Sequence, residues 1–149
     1  MNTEQFVTFL NHYFQDDQLK LIFQDVLSTD DPKKVYLLIN QAIISHLSTE
    51  LEEVLFIQSS IGVVFGLRLS NDGSTTVLKV YSPRIPKTYL DQINHYQALF
   101  YSERFLAPKV LSSLFPFGLG YAGFYELIQG IEENAHKPAK RHLNYFHLW

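Results

Sequence analysis

The chain has 149 residues, 46% of them hydrophobic and 18% charged, and a formal net charge of −3. These values describe a single globular domain and exclude a disordered chain, a basic nucleic-acid-binding protein and a protein with a membrane-spanning apolar run. The absence of cysteine excludes disulfides and thiolate metal sites, and together with an N-terminus unlike a signal peptide it leads us to expect a cytoplasmic location.

Residues 1–50 are predicted to form helices that make a structural addition to the domain. Asn2 and Gln5 have the spacing of a capping box, and the apolar pattern breaks near Asp16-Asp17, which predicts two helices. Asp31-Pro32 then has the chemistry of an N-cap followed by a first helical residue, so a third helix is expected to start there.

The next segment has the pattern of a sheet. Val54–Ile57 is a short apolar run, and the residues from Gln58 to Gly62 are expected to form a small, flexible turn. Gly62–Tyr81 then alternates apolar and polar residues on either side of an Asp-Gly turn, which predicts a β-hairpin. Its second strand contains one lysine, Lys79, in an otherwise apolar run. A cation in that place must snorkel, pair or bind a ligand.

The remaining elements are one helix, two strands and a final helix. Apolar spacing predicts the helix over Tyr89–Tyr101, and Lys109–Leu111 and Tyr121–Ile128 are the strand candidates. Pro138 is expected to open a C-terminal helix that carries an apolar group of residues: Leu143, Tyr145, Phe146, Leu148 and Trp149. We therefore predict an α+β fold with an antiparallel sheet in residues 54–130 and a C-terminal helix in residues 131–149 of a single domain.

The segments VLKVYSP, FLAPKV and YELIQG, with a helix after the first, resemble the N-terminal lobe of the protein-kinase-like fold, and most closely the aminoglycoside phosphotransferase group. In that family a five-stranded lobe covers the nucleotide, so the resemblance implies ATP with Mg²⁺ as the ligand. It implies that Lys79 contacts the α and β phosphates and that Phe105–Val110 leads into the fourth strand. The other implied nucleotide-binding residues are the loop over the phosphates, Ser59, Ser60 and Gly62, and the hinge strand whose backbone bonds adenine, Glu126, Leu127 and Ile128.

The chain departs from this family where catalysis is concerned. The helix residues Leu90–Tyr101 include no glutamate to pair with Lys79, and the closest alignment puts the segment from Asn94 to Gln97 at that position. No aspartate follows Asp91, so the catalytic and metal-binding aspartates of the family have no counterpart. The six histidines lack convergent spacing. We therefore expect no catalytic residue and no metal site, and a lobe that stands alone, truncated or repurposed for binding.

A second hypothesis is a non-enzymatic interaction module. Without a second lobe, the apolar surfaces around Tyr121–Ile128 and Leu143–Trp149 are expected to be exposed and to drive homo-oligomerisation or binding of a partner protein. Nucleotide-dependent stability separates the two hypotheses. If the kinase-like hypothesis is right, Lys79 should face the helix that follows its strand.

Overall fold

Four helices and a five-stranded antiparallel sheet make up the part of the chain that the computed structural model describes, which is residues 1–59, 62–103 and 107–128. The fold is therefore α+β, as predicted. The helices are α1 Thr3–Tyr13, α2 Asp17–Leu27, α3 Pro32–Leu47 and α4 Lys87–Ser102. The strands are β1 Leu51–Ser59, β2 Gly62–Leu69, β3 Thr75–Tyr81, β4 Phe115–Phe117 and β5 Gly120–Glu126.

The N-terminal helices begin where local chemistry predicts. Asn2 and Gln5 form a reciprocal capping box with two hydrogen bonds of 2.9 Å each. Asp16 caps α2, which explains the break between the first two helices. Asp31 accepts a hydrogen bond of 3.0 Å from the Lys33 N–H and so caps α3.

The sheet has the strand order β1-β2-β3-β5-β4, so β3 lies in its middle. The turn before β3 is formed as predicted: the Asp72 carboxylate accepts from the Ser74 N–H at 2.9 Å and Gly73 has a φ of +70°. The turn between β1 and β2 is shorter than expected, because β1 continues to Ser59 and β2 begins at Gly62.

The two faces of the sheet are covered differently. Phe65, Leu78 and Phe124 point to one face, where they join the main core with the apolar sides of α1, α2 and α3. The neighbouring residues Lys79 and Tyr125 point to the opposite face, because successive side chains of a strand alternate. We call this second face the α4 face, since α4 contacts it through Tyr125, as described below.

Two expectations about the last strands are wrong. Lys109–Leu111 is not the fourth strand: Val110 forms only an isolated bridge to Tyr125, flanked by hydrogen bonds from the Leu111 N–H to the Phe124 carbonyl and from the Glu126 N–H to the Lys109 carbonyl. The surface around Tyr121–Ile128 is not an exposed apolar patch. Residues 122–125 are buried: Ala122 and Phe124 belong to the main core, and Tyr125 contacts Asn94 of α4.

Several predicted features lie outside the described residues. They are Ser60, the first two residues of the segment Phe105–Val110, and the C-terminal helix of residues 131–149. Within the described ranges, no helix combines the length and the apolar character needed to cross a membrane.

Candidate functional site

Lys79 is the one charged side chain among the residues of the central strand β3, and it is nearly covered. It lies opposite Val64 of β2 and Gly123 of β5, and 8% of its surface is exposed. Its Nζ atom stands 5.4 Å from the centre of the Tyr81 ring, which is within the range of a cation–π contact. The lysine therefore lies within the sheet's α4 face, as expected.

Burial changes the acid–base chemistry of Lys79. Removal of water from around the ammonium lowers the pKa of Lys79 from 10.5 to about 7. The side chain is therefore divided between its neutral and charged forms near neutral pH. An anion that reached it would favour the charged form and raise this pKa again.

A chain of hydrogen bonds connects the strand of Lys79 with helix α4. The Tyr125 hydroxyl donates to Oδ1 of Asn94, and its oxygen lies 2.9 Å from the Tyr81 hydroxyl. Because a phenol has one proton and Tyr125 gives its proton to Asn94, Tyr81 must be the donor to Tyr125. Burial raises the pKa of Tyr81 to about 12 and raises that of Tyr125 as well, so both phenols keep their protons at neutral pH.

A second polar contact holds the other half of α4. The buried amide of Gln97 donates from Nε2 to the carbonyl oxygen of Pro108 at 3.0 Å. Asn94 and Gln97 are the two ends of the segment that the resemblance aligned with a glutamate. The structure gives both of them a role in holding α4 against the sheet and the segment before Val110.

The β1–β2 loop lies at the Tyr81 end of β3. Gly62 pairs with Tyr81, two residues from Lys79, or about 7 Å along the strand. Ser59 is exposed at the end of β1 and pairs with Val63. A Cβ on Gly62 would stand 1.9 Å from the carbonyl oxygen of Val80, so glycine is required here by the packing of two strands.

The predicted hinge lies toward the other end of β3. Glu126 pairs with Thr76, three residues from Lys79, or about 10 Å along the strand. The Glu126 N–H is already donated to the carbonyl of Lys109 at 2.8 Å, so this donor is not available to a base.

An apolar cluster borders the hinge. Leu127 is buried on the α4 face against Val64 and Val77, and Leu55 and Phe56 pack against this cluster. The α4 face thus combines the nearly buried Lys79 with this apolar cluster, which we call the apolar floor. Tyr81, Tyr125 and the apolar floor apart from Leu127 were not among the predicted site residues. Tyr81 is two residues from Lys79, and Tyr125 is two residues from Gly123, so the alternation of side chains along a strand places both tyrosines on the face of Lys79.

The described residues hold no cluster of three or more His, Asp or Glu side chains that could bind a metal ion. Comparison with protein-family models, curated proteins and solved structures found no match to this chain.

Proposed function

We propose that this chain is a kinase-like N-terminal lobe that binds the phosphate end of a nucleotide weakly at Lys79 and does not itself transfer phosphate. The observation that carries the proposal is the placement of a nearly buried lysine in the central strand, on the face that also receives α4. The ammonium of Lys79 can make a charge-assisted hydrogen bond to an anionic ligand such as a phosphate.

The linear order of the candidate residues supports this proposal. The β1–β2 loop, Lys79 and the residues after Glu126 follow one another along the α4 face, over about 17 Å in total. A nucleotide also has its charged and its aromatic parts at opposite ends. Lys79 would meet the phosphates, and the apolar floor around Leu127 would meet the base.

The same geometry limits the affinity. Lys79 offers one ammonium, and with 8% of its surface exposed it must become more accessible before a phosphate can touch it. A charge-assisted contact contributes a few kcal/mol at most, against the cost of immobilising a flexible ligand. We expect a Kd for ATP with Mg²⁺ on the order of a millimolar.

Calorimetric titration with ATP and Mg²⁺ tests the proposal. We expect weak binding that Lys79→Met abolishes and that Lys109→Met, which removes an exposed lysine, leaves intact. Binding that is equal in all three proteins would show that Lys79 is not the site. Transfer of labelled γ-phosphate by the purified protein would contradict the non-catalytic part of the proposal.

A second candidate function is a non-enzymatic module that self-associates or binds a partner protein. It is favoured by Tyr89 and Tyr96 of α4, which lie beside the buried face of the helix that Leu90 and Gln97 mark. Tyr89 is 56% exposed and Tyr96 is 55% exposed. With Ile93 between them they form what we call the α4 stripe. Light scattering over a range of concentrations tests this candidate: association that Tyr96→Asp weakens supports it, and association that Tyr96→Asp leaves unchanged contradicts it.

A further inference from the structure

A cavity lies at the rim of the main core, between α3 and the edge strand β4. Its volume is about 300 Å³, and it is lined by α3 residues between Leu38 and His46 and by β4 with the turn that follows. Phe115 and Phe124 place it on the core face of the sheet, whereas Lys79 lies on the α4 face. We call it the α3–β4 cavity, and it is separate from the candidate nucleotide site.

The α3 wall of the cavity carries two neutral polar groups, the side chains of Gln41 and Ser45. These residues are four apart on the helix, so their side chains are neighbours with Cβ atoms about 5–6 Å apart. Both are exposed, and neither side chain forms a hydrogen bond to another residue that the structure describes. A carboxamide and a hydroxyl each donate and accept, so this wall presents both kinds of hydrogen-bonding group to the cavity.

The opposite wall is apolar. Pro116 is exposed in the middle of β4, between the buried rings of Phe115 and Phe117. The ring of His46, from α3, lies flat on Phe115, with the ring centres 4.0 Å apart and the planes 19° apart. His46 is exposed although Phe115 covers one face of its ring, so ring surface remains for a ligand to contact. A flat aromatic ring packs well against such a surface.

The size and the edge of the cavity suit a small molecule better than a peptide strand. β4 is the edge strand of the described sheet, and its central residue Pro116 has no N–H to donate to an added strand. The cavity volume equals that of about ten water molecules and lies at the lower end of the range for ligand sites. A ligand of about ten non-hydrogen atoms, one ring with one substituent, therefore fills it.

The charges around the cavity favour a neutral ligand. Among the described residues that line it, none is lysine, arginine, aspartate or glutamate. Ser45 lies in the last turn of α3, where the negative end of the helix dipole disfavours an anion. A sugar is also a poor match, because some of the hydroxyl groups around its rim would lose their hydrogen bonds against Pro116. The ligand that matches carries its polar groups on one edge.

We propose that the α3–β4 cavity binds a small, neutral aromatic carboxamide. The aromatic ring packs against His46 and Pro116, and the amide exchanges hydrogen bonds with Gln41 and Ser45. A primary amide donates and accepts at one edge of the molecule, as the carboxamide of Gln41 does, so the two amides can pair reciprocally. This inference does not depend on nucleotide binding at Lys79.

Benzamide, one ring with one carboxamide, is the probe, and its titration is followed in ¹H–¹⁵N NMR spectra of the whole chain. We expect a Kd on the order of a millimolar, with the largest shifts at Ser45, His46 and Phe117. Benzoate has the same shape but a negative charge and no N–H donor, so it should bind about tenfold more weakly. Cyclohexanecarboxamide keeps the amide and lacks the aromatic ring, so it should bind several-fold more weakly.

Substitution of Gln41 tests the polar wall. Gln41→Leu removes the amide partner at an exposed position and should weaken benzamide binding about tenfold. The matched control is Gln92→Leu, which changes an exposed glutamine of α4 and should leave the Kd unchanged. Lys79→Met should also leave it unchanged, which separates this site from the nucleotide site. Circular dichroism verifies that each variant keeps its fold.

Four results would overturn the inference. The first two are an absence of shifts at the cavity residues at about 20 mM benzamide, well above the expected Kd, and shifts centred on the α4 face. The others are benzoate or cyclohexanecarboxamide that binds as tightly as benzamide, and a Kd for benzamide that Gln41→Leu leaves unchanged.

Discussion

Replacement of Lys79 by methionine should stabilise the protein, because it removes a charge that burial disfavours and keeps a side chain of similar length. The lysine pKa falls from 10.5 to about 7 on folding. At about 1.4 kcal/mol per pH unit this difference corresponds to about 5 kcal/mol of penalty on the charged form. Relaxation and partial solvation reduce it, so we expect a gain of about 2–3 kcal/mol for Lys79→Met at pH 7.

The sign of the pH dependence follows from proton linkage. Between about pH 7 and pH 10.5 the unfolded chain carries the Lys79 proton and the folded chain does not. The stability of the natural protein should therefore rise with pH across this window, and the advantage of Lys79→Met should shrink as the pH approaches 10.5. Below about pH 7 both states are protonated, so the advantage should stay constant and at its largest.

Urea denaturation of the natural protein, Lys79→Met and the exposed control Lys109→Met, repeated between pH 6 and pH 10, measures these effects. Lys109→Met should change the free energy of unfolding by less than about 0.5 kcal/mol. A Lys79→Met protein that is less stable than the natural one at pH 7 would refute the reasoning. It would show that interactions of the ammonium outweigh the loss of its hydration.

Three further outcomes follow from the packing and are measured by the same denaturation assay. Tyr125→Phe should lower the free energy of unfolding by about 1–3 kcal/mol, because it removes the hydrogen bonds of Tyr125 to Asn94 and to the Tyr81 hydroxyl. Tyr81→Phe should lower it less, because it removes only the hydrogen bond to Tyr125. Gly62→Ala should lower the free energy of unfolding more than Gly73→Ala does, because a Cβ at position 62 would meet the Val80 carbonyl oxygen at 1.9 Å. A Cβ at position 73 meets open space, so Gly73→Ala should lose only about 1 kcal/mol through its positive φ. Equal losses would argue against the close approach at Gly62. Asp31→Ala should cost about 1 kcal/mol through loss of the α3 cap, and an unchanged midpoint would show that the cap is dispensable.

The sequence determined those parts of the fold that depend on neighbouring residues. The capping box of Asn2 and Gln5, the cap at Asp31 and the turn at Asp72-Gly73 each involve groups within a few residues of one another, so their chemistry is legible in the sequence. Strand alternation was also visible, and it predicted the hairpin of β2 and β3 and the α+β class.

Tertiary structure decided the pairing of the last strands and the environment of Lys79. Phe115–Phe117 forms β4 because it pairs with the start of β5 and its two rings are buried in the main core. The lowered pKa of Lys79 comes from the loss of hydration of its ammonium on burial in the folded protein. Tyr125 meets Asn94 across 31 residues and Tyr81 across 44, and contacts at that separation arise from chain topology, which no local pattern encodes.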